Sequence, residues 1–79
     1  MTIKTKIINQ FQAKTEDGKI YTIVVLRDYI VGYNPKNPDA EYPGKTEYRT
    51  DDNYHVDPIN YYKFRIVETD DIVRRIEKD

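Results

Sequence analysis

A tripeptide of threonine, an acidic residue and aspartate occurs three times in this 79-residue chain and constrains its fold more than any other feature. The copies begin at Thr15, Thr50 and Thr69, and residues that favour strands flank each of them. Aspartate and asparagine bond to their own backbone and tolerate left-handed φ, and glycine adopts it without steric cost. Each copy therefore predicts the tip of a β-hairpin, and the three hairpins predict six antiparallel strands.

The first copy continues with Asp17-Gly18, a pair that suits the centre of a two-residue type I′ turn. With this turn, Phe11 faces Val24 and Asn9 faces Leu26 across the ladder. One face of the hairpin then carries Ile7, Phe11, Ala13, Val24 and Leu26. Residues 21–26 are apolar on both faces, which is typical of a strand in a barrel or under a second layer. The sequence thus predicts one all-β domain over residues 1–79, a small curled antiparallel sheet or an SH3-like barrel.

The third copy belongs to a last hairpin, formed by residues 62–68 and 72–76. With a three-residue loop, one face of this hairpin carries Phe64, Ile66, Ile72 and Ile76. An alternative interpretation treats residues 70–78 as a short C-terminal helix, with Thr69 as its N-cap and basic residues near its end. Isoleucine and valine at the apolar positions favour the strand.

Between the first two hairpins, the hydrophobic periodicity disappears over residues 31–45, where glycine, proline and asparagine are frequent. This composition predicts one long loop. The second hairpin follows, with strands at 46–50 and 54–56, and it ends at Pro58 because proline cannot donate to a ladder. Long loops without secondary structure of their own are often functional, so we expect a site in the loop 31–45.

The residue types of covalent catalysis are missing. The chain contains neither serine nor cysteine, and His55 is its only histidine. Zinc would need carboxylate or water as its other ligands, and the acidic pairs lack the spacing of a calcium-binding EF-hand loop. The three glycines stand too far apart for a phosphate-binding loop. We therefore expect a protein that is not an enzyme and that holds no cofactor and no metal.

Charge and hydropathy indicate the setting in which the chain acts. A formal net charge of −1 gives no long-range field that would attract nucleic acid. No stretch approaches the ~18 apolar residues of a membrane span, and the first lysines precede no apolar signal-peptide core. The absence of cysteine suits a reducing compartment. We expect a small soluble domain that acts in the cytoplasm and not in a membrane.

Tyrosine is the residue type that points to a binding role. The chain has eight tyrosines, and their amphipathic rings are favoured contacts at interfaces. Tyr33 and Tyr42 lie in the predicted loop, whereas the adjacent Tyr61 and Tyr62 point to opposite faces of a strand, which leaves one of them exposed. We predict a non-catalytic module that engages another protein by ordering the loop against a groove of the partner. Tyr33 and Tyr42 are the predicted anchors, and Tyr61 and Tyr62 are further predicted contacts.

Two alternative functions are open. The first is binding of single-stranded nucleic acid by the basic last hairpin, through Lys63, Arg65, Arg74 and Arg75; the acidic hairpin tips oppose it. The second is homo-oligomerisation through an exposed edge strand of an unclosed sheet. The order of an Asp-Gly hairpin, a variable loop and an acidic-tipped hairpin resembles that of short bacterial proteins, without pointing to one family.

Overall fold

The structure, a computed structural model, describes residues 2–76. Every regular element in these residues is a strand, and the strands are β1 (Thr2–Thr15), β2 (Ile20–Val31), β3 (Glu41–Thr50), β4 (His55–Pro58), β5 (Lys63–Ile66) and β6 (Asp71–Arg75). Each strand pairs antiparallel with the next, and β6 pairs with β1, so the sheet closes into a six-stranded barrel. The predicted all-β fold with six strands is confirmed.

The alternative of a C-terminal helix over residues 70–78 is wrong where the structure describes it. Residues 71–75 form β6, which pairs with β5 on one side and with residues 13–15 of β1 on the other. Val73 is completely buried in the barrel, and this burial favours the strand over the helix. Residues 77 and 78 of the alternative helix lie outside the described residues.

The buried hydrophobic side chains of the core come from every strand except β3, which contributes the half-buried Tyr48. The buried members of the core are Ala13, Tyr21, Ile23, Val56, Phe64, Ile66 and Val73. Half-buried Phe11, Tyr48 and Tyr54 pack against them. Tyrosine thus takes the place of leucine in this core, in agreement with a chain that contains one leucine.

The first hairpin turn has three loop residues instead of the predicted two. The Thr15 carbonyl accepts a hydrogen bond from the Gly18 N–H, and the Thr15 N–H donates to the Lys19 carbonyl. Gly18 has a φ of 93°. This is a type I turn closed by a glycine bulge, which is the next most common hairpin connection after the two-residue turns.

The extra loop residue shifts the register by one, so the predicted pairing of β1 with β2 is wrong. Phe11 pairs with Ile23, and Asn9 pairs with Val25. Because side chains alternate along a strand, this shift moves the other set of β2 side chains into the core. Tyr21, Ile23 and Val25 are buried, whereas the predicted Val24 and Leu26 are only half-buried on the opposite face.

The second turn repeats the geometry of the first, and the third does not. Thr50 makes the same two backbone bonds, with Asn53 and Tyr54, and Asn53 has a φ of 70°. In the last hairpin Phe64 pairs with Val73 across a four-residue loop, 67–70. The predicted three-residue loop is therefore wrong, and Ile72 lies on the exposed face rather than in the core.

The first three strands extend beyond the barrel as an arm. β6 pairs only with residues 13–15 of β1, and β4 pairs only with residues 48–49 of β3. Beyond these contacts, residues 2–8, 26–31 and 41–46 form a three-stranded ribbon, which together with the connection 32–40 we call the arm. The described chain measures 53 × 30 × 20 Å as a result.

The predicted loop over residues 31–45 is wrong at both ends, because Val31 ends β2 and residues 41–45 belong to β3. Pro43 pairs with Tyr29 and is tolerated because β3 is an edge strand in the arm. The register shifts beside it, so that β3 carries one extra residue there. Gly44 lies close to β2 at this bulge: a Cβ on it would stand 3.3 Å from the Asp28 carbonyl oxygen.

Candidate functional site

The arm carries an apolar row on the face that continues the outside of the barrel. Ile3, Ile30 and Tyr42 stand directly opposite one another across β1, β2 and β3. Ile7 and Leu26 form a second opposed pair on the same face. Ile3 is 62% exposed and Ile7 is 64% exposed, since no other layer of the described chain covers them. We call these five residues the outer arm face.

The end of the arm brings two of the predicted tyrosines together. The rings of Tyr33 and Tyr42 meet edge to face, with centroids 5.9 Å apart. Tyr33 is 69% exposed, and the Asn34 side-chain amide donates to the Tyr42 hydroxyl over 3.4 Å. Successive backbone bonds, from Asn37 to Asn34 and from Ala40 to Asn37, hold the connection 32–40 in tight turns. The pair is therefore presented on an ordered tip.

The opposite face of the arm is polar. The Lys6 ammonium lies 2.5 Å from a carboxylate oxygen of Glu41 and 5.0 Å from the Tyr29 ring centroid. The hydrogen bond between the two side chains raises the pKa of Lys6 and lowers the pKa of Glu41. Arg27 donates to Thr46 on the same face. Apolar contact area on the arm is thus concentrated on the outer arm face.

The other two predicted tyrosines lie elsewhere, in the bend 59–62 between β4 and β5. Both are exposed because the bend breaks strand alternation, so the expectation that Tyr61 and Tyr62 point to opposite faces of a strand is wrong. The Arg75 guanidinium lies 5.3 Å from the Tyr61 ring centroid and 4.2 Å from that of Phe11. Phe11 and the Ile3 row are eight strand residues apart, roughly 26 Å. The four tyrosines therefore form two separate pairs.

The basic residues of the last hairpin divide in the same way. Arg65 is ion-paired with Asp70 at 2.8 Å and with Asp57 at 3.4 Å, and these contacts raise the pKa of Arg65. Arg75 packs on aromatic rings. Only Lys63 and Arg74 are left on the outer surface, as an opposed pair.

Lys14 extends this pair to a row that the sequence analysis missed. It pairs with Arg74 across β1 and β6, so that Lys14, Arg74 and Lys63 form the basic row. Among residues 2–76, no carboxylate makes an ion pair with any of the three. Only the strand pairing brings Lys14 to this position, which is why the last hairpin alone did not reveal it.

His55 binds a carboxylate and not a cluster of ligands. Its Nδ1 lies 2.6 Å from Glu68 Oε1, and its backbone N–H donates to Glu68 Oε2 over 2.6 Å. These bonds lower the pKa of Glu68. Within residues 2–76, no group of three or more histidine, cysteine or acidic side chains is arranged to hold a metal ion.

The outer arm face could have been found only from a pattern that is weak in the sequence. Ile3, Thr5 and Ile7 alternate with Lys4 and Lys6, as in a strand with one apolar face.

The part of the chain that the structure describes, residues 2–76, contains no helix that is long and apolar enough to cross a membrane. Comparison with family models, with curated proteins and with solved structures finds no match to this chain.

Proposed function

We propose that this protein is a small non-catalytic binding module that engages another protein through the outer arm face and the tyrosine tip. The observation that supports the proposal is the opposed row of Ile3, Ile30 and Tyr42, which lies outside the core. Six residues of about 3.4 Å on three strands of about 4.8 Å outline a patch of roughly 300 Å². The hydrogen-bonded pair of Thr5 and Asp28 separates its two apolar rows. Exposed patches of this size that are largely apolar are often functional. The absence of cysteine suits action in the cytoplasm.

The faces and edges of the arm differ in what they can bind. Addition of a strand is opposed on one edge by Lys4 and Lys6 of β1 and on the other by Pro43 of β3. The outer arm face carries no lysine or proline that would oppose binding in this way. The acidic side chains of Asp28 and Glu47 lie on the same face of the arm. The partner we expect is a protein with an apolar surface that also carries basic residues.

A pair of matched double variants tests the proposal. Ile3→Ser/Tyr42→Ser removes one isoleucine and one tyrosine from the arm, and Ile20→Ser/Tyr62→Ser removes the same two residue types from the exposed barrel surface. The tagged protein is used to capture partners from the source lysate, and the captured protein is then purified and its Kd measured. We expect the arm variant to lose at least tenfold in affinity, with a thermal midpoint within about 4 °C of the parent, as for a surface change of ~0.5 kcal/mol.

Equal loss of affinity in both double variants would contradict the proposal, because it would separate binding from the arm. Light scattering of the purified protein covers the alternative that a second copy is the partner. A doubled mass that returns to the monomer in the arm variant would assign the outer arm face to self-association. A doubled mass that persists in that variant would instead favour the edge strands.

The basic row supports a second candidate function, binding of single-stranded nucleic acid. Three opposed cations without carboxylate partners repel one another, and an anionic strand would relieve this repulsion. If all three contact phosphates, log K falls with log salt at a slope of about −2. Fluorescence anisotropy measures this slope with a labelled oligothymidine at salt concentrations from about 50 to 200 mM. Absent or salt-independent binding would exclude this function.

A further inference from the structure

A cleft opens at the mouth of the barrel, where the base of the arm faces the bend 59–62. Four aromatic side chains line it, those of Phe11, Tyr48, Tyr61 and Phe64. Phe11 and Tyr48 each pack against Phe64, with ring centroids 5.3 and 5.7 Å apart. The cleft has a volume of about 440 Å³. This volume lies in the range of small-molecule sites, and barrel mouths are among their usual positions. The outer arm face does not contribute to it.

Two arginines with no acidic partner line the same cleft. Arg27 and Arg75 are half-buried, and neither makes an ion pair with a carboxylate of residues 2–76. The Nε of Arg27 donates to Thr46 over 3.2 Å, and its terminal amino groups make no hydrogen bond within the described residues. Arginine is seldom taken out of water without an anionic partner. An anionic group in the cleft would therefore give both cations a partner of opposite charge.

The asparagines of the cleft add hydrogen-bond donors. The Asn60 side-chain oxygen already accepts from the backbone N–H groups of Tyr62 and Lys63, at 3.0 and 2.9 Å. The Asn9 side-chain oxygen accepts from the Gln10 N–H over 2.8 Å. Both amides thus keep their NH₂ groups for another partner. Among the described residues that line the cleft none is acidic, so its free polar groups are mostly donors.

We infer that the mouth cleft binds a carboxylate that is attached to a flat apolar group. The planar guanidinium groups of Arg27 and Arg75 match the geometry of a carboxylate, which can accept two parallel bonds from one of them. Tyr48 and Tyr61 offer ring surfaces to the flat group, whereas the Phe11 ring is covered by Arg75. A free aromatic acid and the C-terminal carboxylate of a protein that ends in an aromatic residue share this chemistry.

Titration of the ¹⁵N-labelled protein with three probes, followed by NMR, tests the inference. Benzoate stands for the free acid, benzamide has the same shape without the charge, and a short peptide ending in phenylalanine stands for the protein source. We expect saturable shifts of the Arg27 and Arg75 side-chain signals with benzoate, with the peptide or with both, and none with benzamide. Benzoate alone would indicate a free acid, and the peptide alone would indicate a protein terminus. Failure of both, or equal shifts with benzamide, would overturn the inference.

Matched charge variants locate the site. Arg27→Gln should weaken binding of the carboxylate probe at least tenfold, whereas Arg74→Gln, which removes the same charge from the outside of the barrel, should change it less than twofold. Arg75→Gln serves as a second variant, and circular dichroism checks its fold because Arg75 packs on Phe11. An equal effect of Arg27→Gln and Arg74→Gln would show nonspecific attraction and overturn the site. Binding of a protein partner at the arm is independent of all these outcomes.

Discussion

Two buried threonines make the same side-chain hydrogen bond in different hairpins. Thr15 and Thr50 are 7% and 3% exposed, and each side-chain oxygen accepts the backbone N–H of the residue four positions later. The donors are the Lys19 N–H, at 2.9 Å, and the Tyr54 N–H, at 3.0 Å. Neither N–H has another side-chain acceptor among the described residues. Thr69 of the third copy is exposed and lies inside its turn instead of opening it. The repeated tripeptide thus has two structural roles.

Replacement of Thr50 by valine tests the first of these roles. Thr50→Val keeps the shape of the side chain but leaves the Tyr54 N–H without its side-chain acceptor, so we expect a loss of about 1–2 kcal/mol in the free energy of unfolding. Thr69→Val is the matched control, and we expect a change of about 0.5 kcal/mol or less. Urea denaturation with an unchanged m-value measures both. Equal losses would show that the valine side chain itself is unfavourable.

A buried tyrosine controls the titration of one carboxylate. The Tyr21 hydroxyl donates to Asp71 over 2.8 Å, and this bond, followed by that from Thr69, lowers the pKa of Asp71 below its ordinary value of 3.8. A carboxyl group whose pKa is lowered by folding stabilises the folded protein at pH values above its ordinary pKa. This contribution is lost as the pH falls through the pKa of the group in the folded protein. The effect of Asp71 on stability therefore falls below pH 3.8.

Tyr21→Phe removes this hydroxyl and keeps the ring. We expect the pKa of Asp71 to rise toward 3.8, and the dependence of the thermal midpoint on pH below that value to become weaker. NMR titration of the Asp71 carboxyl measures the first effect. Tyr48→Phe is the control, because its hydroxyl makes no side-chain hydrogen bond within residues 2–76. An unchanged pKa in Tyr21→Phe would assign the shift to Thr69 and the surrounding charges.

At the scale of the hairpin, the residue with positive φ sets the turn. Gly18 and Asn53 occupy the same position in the first two turns, with φ of 93° and 70°. A residue with a Cβ costs about 1–2 kcal/mol in this conformation, and asparagine is less penalised than alanine. The Asn53 side chain also accepts a bond of 2.7 Å from Arg49. Glycine and alanine at position 53 both lose that bond and differ only in the backbone effect.

The difference in stability between these two variants therefore measures the backbone cost of a positive φ at position 53. We expect Asn53→Gly to be more stable than Asn53→Ala by about 1 kcal/mol, because glycine adopts positive φ without steric cost. Urea denaturation of the two variants under identical conditions gives the difference. Equal stability would mean that the turn rearranges in the alanine variant, and the register of β3 with β4 would then have to be measured again.

The sequence predicts three hairpins and six antiparallel strands correctly because turn residues and β-branched runs act locally, but it misplaces several of their ends. It does not predict the register, since Asp17-Gly18 fits both a two-residue and a three-residue turn. The two registers place different β2 side chains in the core, and only the closed barrel shows that Tyr21, Ile23 and Val25 are the buried set. Pro43 and Gly44 indicate a loop until β3 is known to be an edge strand.

The candidate sites depend even more on contacts that are distant in sequence. Tyr33 and Tyr42 can be predicted as site residues because the composition that marks their segment is visible in the local sequence. The structure places their rings in contact. Arg27 and Arg75 share a cleft only because the barrel closes between β6 and β1. The sequence alone assigned no role to Arg27, and it assigned Arg75 to nucleic-acid binding. Closure of the barrel is the information that a single sequence lacks.

The whole molecule is more extended than a compact chain of its length. Its radius of gyration is 15.4 Å, whereas a compact domain of this size has about 12 Å. The difference comes from the arm. Its three strands form a sheet, but none of their residues in the arm belongs to the buried hydrophobic core. Three strands with one unburied apolar face are near the limit of independent stability. The arm is therefore expected to open more easily than the barrel.

Native-state hydrogen exchange tests this difference between arm and barrel. Hydrogen-bonded amides of residues 3–7 and 27–31 should exchange through local opening, with smaller protection than those of Ile23, Ile66 and Val73, which exchange only on global unfolding. Binding of the protein partner at the outer arm face should raise protection in the arm and leave the barrel unchanged. Uniform protection in the free protein would show that arm and barrel form one cooperative unit, and the arm would then be rigid before it binds.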